Sequence, residues 1–210
     1  MTPSTGTVAA AAPAPRDGGR GPYAKSERRR RQILEAAIVE FGDHGYAGGS
    51  VARIASALSL SVAGVMHHFG GKESLLHAVL AHVESEVPDR FEHDLEAHGF
   101  AVAVLRLAEC AAGRREVLKL IAVLGVEAAV PVHAAHQWLS VREAATRQRL
   151  AAGIRRDQER GRIDPSCPAD LAAASVLAAW GGVRLLCLLD PQADALAVFG
   201  HCVTALVPSA

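Results

Sequence analysis

Ser50 and Ser61 each stand immediately before a short apolar run, in SVARIASALSL and SVAGVMHHF, and Lys72 follows a Gly70-Gly71 pair. A serine hydroxyl ahead of a helix accepts from its first free amides and caps it. Beyond Ser61 the outward positions are Val62, Ala63, Gly64 and His67. They make an outward face without bulk or acid, as a helix lying in a major groove requires. No Asp or Glu occurs from Val51 to Gly71, so nothing in the stretch repels a polyanion.

Other chemistries find no set of residues. There is no GxSxG, P-loop, HExxH or GxGxxG motif, so neither an enzyme nor a cofactor is expected. Cys110, Cys167, Cys187 and Cys202 form no CxxC pair, and read as reduced thiols of a cytoplasmic protein. His133 and His136 have the spacing of a ligand pair but no partnering cysteine or carboxylate cluster, and adjacent His67 and His68 point about 100° apart on a helix. No metal is expected.

The elements that must hold Ser50 to Lys72 follow from apolar spacing. A helix from Ser26, with Ser26 as its cap, carries Arg28 to Arg31 in its first turns and Ile33, Ala36, Ala37 and Phe41 inward, ending at Gly42 and Gly45. Val51 to about Leu58 and Val62 to about His68 are two short helices joined by Ser59-Leu60-Ser61, locked by Ile54, Ala55, Leu60, Val65 and Phe69. That is the layout of a helix-turn-helix, whose second helix enters the major groove. A lever helix from Lys72 to Glu86 follows, stopped by Pro88.

The rest of the chain reads as helix after helix: Phe91–Ala97, Phe100–Ala112, Arg114–Val130, Val132–Arg160, Ala169–Leu189 and Ala193–Leu206. In Val132–Arg160, Trp138, Leu139, Val141, Leu150 and Ile154 are expected inside. No stretch alternates with period two long enough for a strand, so the fold class is all-α. The expected division is a disordered Ala/Pro/Gly tail over 1–24, a DNA-binding domain over 25–71 and a helical body over 72–210. Net charge is zero, but 1–72 hold nine Lys/Arg against five Asp/Glu, while 73–210 hold thirteen against seventeen. A basic head on an acidic body fits a polyanion partner for the head alone. Leu171–Leu189 has the length of a membrane span, but Arg184, Gly181-Gly182 and Asp190-Pro191 favour a buried helix and no membrane partner.

The head resembles the tetracycline-repressor (TetR) family of bacterial regulators. The matching residues are a basic helix ending in Phe41, Gly45 and Tyr46, then Ser50, Ile54-Ala55, Ser61, Gly64, His68-Phe69 and Lys72-Glu73-x-Leu75-Leu76. The resemblance implies DNA contacts from Ser50, Ser61, Val62, Ala63, His67 and Lys72, with Lys72 on phosphate. Two positions depart from the family pattern: Ser59 stands where the turn carries glycine, and Met66 where a tyrosine meets phosphate.

For the body the resemblance implies a ligand-binding and dimerisation domain. A homodimer through Ala169–Leu189 and Ala193–Leu206 would meet a palindromic operator on double-stranded DNA. A pocket for a small apolar or amphipathic effector has His98, Arg106, Cys110, Glu127, His133, His136 and Trp138 as candidate lining residues. The expected function is a transcriptional repressor released by that effector. The alternative is a DNA-binding repressor or activator without ligand control.

Overall fold

The computed structural model describes residues 21–86 and 90–210. Of the expected tail over 1–24, residues 1–20 lie outside the described residues, as does the stop at Pro88, while 21–24 are helical. The described chain is all-α: α1 (Gly21–Gly48), α2 (Val51–Ala57), α3 (Val62–Phe69), α4 (Lys72–Ser85), α5 (Phe91–His98), α6 (Phe100–Ala112), α7 (Arg115–Glu127), α8 (His136–Glu159), α9 (Ala169–Leu189) and α10 (Ala195–Leu206). Its one departure from helix and turn is an isolated antiparallel bridge between Ile163 and Ser209.

The first helix begins earlier than expected. It is already formed at Gly21, so Ser26 lies inside it and caps nothing. Ala24, Lys25 and Glu27 are good helix formers and carry the turns through. At the other end Gly45 adopts φ 70°, ψ 175°, which breaks the helical path before Tyr46. A side chain is strained at that φ, and the kink needs glycine.

Two hydrophobic cores organise the molecule. The first gathers Ile33, Ile38 and Phe41 of α1, Ile54 and Ala55 of α2, Val65 and Phe69 of α3, and Leu75 to Val83 of α4. It continues into the body through Leu120, Ile121 and Leu124 of α7 and Leu139 of α8. The second joins α5, α6, the later turns of α8, α9 and α10 around Phe100, Ile154 and Phe199. Among the helices, α1 packs most extensively against α7.

The turn between α7 and α8 is longer than expected, because Val130 and Val132 project to solvent and His133, Ala134 and Ala135 form turns. The His133 amide donates to the Val130 carbonyl at 3.0 Å, and His136 Nδ1 donates to the Ala128 carbonyl at 2.7 Å. The last helix starts at Ala195 rather than Ala193, since Asp194 accepts from the Ala197 amide at 3.0 Å and caps it there.

Val141 corrects the reading of α8. It is 64% exposed. The inward stripe runs through Ala135, Leu139, Leu150 and Ile154, and Arg142 falls on that stripe in its place. α9 is long and apolar enough to cross a membrane by length and composition, with mean hydropathy 1.8. Here it packs between α8 and α10 on Ala172, Ala173, Val176 and Val183, while Leu171, Leu185 and Leu189 face out.

Candidate nucleic-acid interface

The interface is built from caps upward. Ser50 Oγ accepts from the Arg53 amide at 3.4 Å, and Ser61 Oγ from the Gly64 amide at 3.0 Å, so both expected caps form. Between them Leu60 N donates to the Ala55 carbonyl at 2.8 Å, closing the turn. Ser59 sits there with φ 54°, a left-handed residue without the glycine that would make it easy. Gly70, with φ 77°, ends α3 and turns the chain into α4.

Burial of Val65 and Phe69 fixes the roll of α3, and this turns Ser61, Val62, Ala63 and His67 outward. Val62 is 46% exposed. His68 is partly buried, its carbonyl accepting from Arg30 Nη1 at 3.2 Å, while the same guanidinium lies 4.4 Å from the Phe69 ring centre. Met66 is partly buried beside this pair and offers no hydrogen-bond donor. The outward face is therefore small and apolar around one imidazole, with no carboxylate.

Glu40 is a part of the head that sequence reasoning missed. Only 8% exposed, it accepts from the Ser50 amide and from Arg53 Nε, each at 2.8 Å. Arg53 also donates to the Gly48 carbonyl at 2.6 Å. Burial pushes the Glu40 carboxyl up, but the Arg53 guanidinium and the Ser50 amide outweigh it and hold the group below its usual range. The carboxylate thus sets the α2 cap against α1. The available signal was one acid on the apolar stripe of α1.

Lys72 is partly buried and tied to the end of α1. Its ammonium donates to the Ala47 carbonyl at 3.3 Å and lies 4.7 Å from the centre of the Tyr46 ring. A lysine has three donors, so these contacts aim the group and leave protons for an anion.

The seven expected effector-lining residues do not share one cavity. Arg106 and Cys110 come together with Arg90, Phe91, Asp94 and Leu107 around a cavity of about 340 Å³, where Arg106 is held by Asp94 at 2.5 Å. His98 is exposed at the end of α5. Glu127, His133 and His136 lie at the junction of head and body. Glu127 Oε2 accepts from the Tyr46 amide at 2.7 Å and is 3.5 Å from His133 Nε2, and the His133 ring stands edge-on to Tyr46 at 5.3 Å. Trp138 lies elsewhere, beneath the Arg142 guanidinium at 5.1 Å. The sequence marked polar positions on helices but not which way each turned. Glu127 and Tyr46, in particular, are 81 residues apart.

Residues 33–79 match the family model described as bacterial regulatory proteins, tetR family. The HTH-type transcriptional repressor AcnR of Corynebacterium glutamicum is 42% identical over 55 residues, which are 26% of this chain and 29% of that repressor. The chain therefore matches under a third of that relative's length. A TetR transcriptional regulator from Chloroflexus aurantiacus J-10-fl has the same fold, with TM-score 0.74 and 22% identity over 89% of this chain and 100% of that one. A transcriptional regulator from Saccharomonospora viridis in complex with choline aligns with TM-score 0.69 and 22% identity, covering 85% and 95%.

Proposed function

We propose that this chain, whose N-terminal domain belongs to the tetR family of bacterial regulatory proteins, is a ligand-responsive transcriptional repressor. It binds a palindromic operator as a homodimer and leaves it when a small molecule enters the body. The observation that carries the reading is the outward face of α3: Ser61, Val62, Ala63 and His67, capped, free of acid and braced by Glu40. Such a face enters a major groove, and the amide ends of α2 and α3, with Lys72, lie where phosphates pass.

The second copy is supported by α9 and α10. Leu171, Leu185, Leu189 and Val198 are exposed on them. Exposed apolar side chains of that kind suit a two-fold interface in which each copy covers the other. Release by a ligand is supported by the continuity of the head's core into α7 and α8, because a change in the body is then felt by α1 directly as well as through α4. The choline complex of a relative in fold is consistent with a body that takes small molecules.

Selection of bound duplexes from random DNA, followed by anisotropy at several salt concentrations, tests the reading. A recovered palindrome with a log–log salt slope of several phosphate contacts supports it. Equal affinity for random duplex contradicts it.

A further inference from the structure

Most arginines of the body hold a carboxylate: Arg106 on Asp94, Arg114 on Glu86, Arg155 on Asp170, Arg160 on Glu96 and Arg162 on Asp157. Arg142 and Arg184 make no ion pair among the described residues, although both are partly buried. Arg142 occupies the inward stripe of α8 and stacks on Trp138. Arg184 is the one charged residue of α9 after Asp170, and its Nε is sealed from solvent with no hydrogen-bond partner. Burial draws both guanidinium groups below their ordinary range; Glu143 pulls Arg184 back up, and the nearby charge of Arg142 pushes it further down. Two partly buried like charges thus lie on the packed helices α8 and α9, with Glu143 acting on both. An unpaired buried cation is among the costlier arrangements a fold can keep. A buried donor without a partner calls for a group that the chain itself does not supply.

We infer that the effector carries a carboxylate, gripped between Arg142 of α8 and Arg184 of α9, with its apolar part toward Trp138. This rests on the reading of the body as an effector domain, and it narrows the expected apolar or amphipathic ligand to an anionic one. Guanidinium forks match a carboxylate in both geometry and charge.

The test uses the full-length protein, Arg142→Gln, Arg184→Gln and Arg184→Leu. Each is melted at fixed ionic strength with matched pairs of acid and primary amide, from butanoate to decanoate with benzoate and phenylacetate. The expected result is an acid that raises the Tm where its amide does not, with affinity falling at least about tenfold in both Gln variants. Arg184→Leu, relieved of a desolvated charge, should melt above the wild type without ligand. A panel in which no acid outdoes its amide overturns the inference. So does an acid held equally by the Gln variants, or a loss of dimer in Arg184→Gln with acid binding unchanged. Operator anisotropy with the same ligands separates the two readings. A neutral ligand that releases DNA from wild type and both Gln variants alike overturns the anion site and leaves the effector reading standing. An acid bound through both arginines that leaves the operator complex intact does the reverse.

Discussion

The backbone amide of Tyr46 donates to the carboxylate of Glu127 at 2.7 Å, joining the kink at the end of α1 to the last turn of α7. A Cβ on Gly45 would stand 2.1 Å from Glu127 Oε1, so the carboxylate fills the space that glycine leaves. Asp43 and Lys119 form an ion pair on the same α1–α7 seam. Head and body are therefore coupled through α1 as well as through the lever α4.

Glu127→Ala leaves the Tyr46 amide unpaired at a partly buried site. A loss of about 1–3 kcal/mol is expected, seen by calorimetry as a Tm lower by several degrees. Gly45→Ala should cost at least as much, because the new methyl meets the carboxylate at an unfavourable φ. A change below about 0.5 kcal/mol in both would show that the seam carries no stability.

Ser59→Gly acts in the opposite direction. Ser59 holds φ 54°, and a non-glycine residue costs about 1 kcal/mol there. Glycine returns part of this and loses part to the unfolded chain. Chemical denaturation should show a gain of up to about 1 kcal/mol, and destabilisation would contradict the account of the turn.

Glu40 makes the head acid-sensitive. Its folded pKa lies below the ordinary 4.5, so its contribution is complete above that value and is lost as pH falls through the folded one. Glu92, held down by Arg156 and Arg149 against the opposing effect of burial, adds a body group of the same sign. Stability measured from about pH 6 to pH 3 should fall, and the fall should be shallower in Glu40→Gln. An unchanged profile in that variant would remove Glu40 as the brace of the α2 cap.

Leu185 and Leu189 are 52% and 74% exposed on α9, so Leu185→Glu with Leu189→Glu should leave each subunit folded. Sedimentation should then show monomer, against the dimer expected of the wild type. A double variant that remains dimeric moves the interface off this face.

Much of this was legible from local chemistry. Ser50 and Ser61 were readable as caps because a cap depends on residues three positions away. The bounds of α6 and α9 were readable because glycine and proline flank apolar runs. What was not legible depended on distant partners or on phase. Glu127 looked like a pocket residue until the fold brought Tyr46 to it. Val141 and Arg142 are neighbours, and a shift of about 100° decides which one faces the core. An arginine on an inward stripe is the less expected choice, and sequence spacing alone could not select it.

The most direct test of the central claim is anisotropy of a duplex selected from random DNA, titrated with wild type and with Val62→Glu. Val62 is 46% exposed and outside both cores, so the substitution should fold normally while setting a carboxylate against the groove. The account predicts wild-type binding about a thousandfold tighter than to random duplex, with that preference abolished in Val62→Glu. Equal binding of the selected and random duplexes by the wild type, or unchanged binding by Val62→Glu, would contradict α3 as the reading helix.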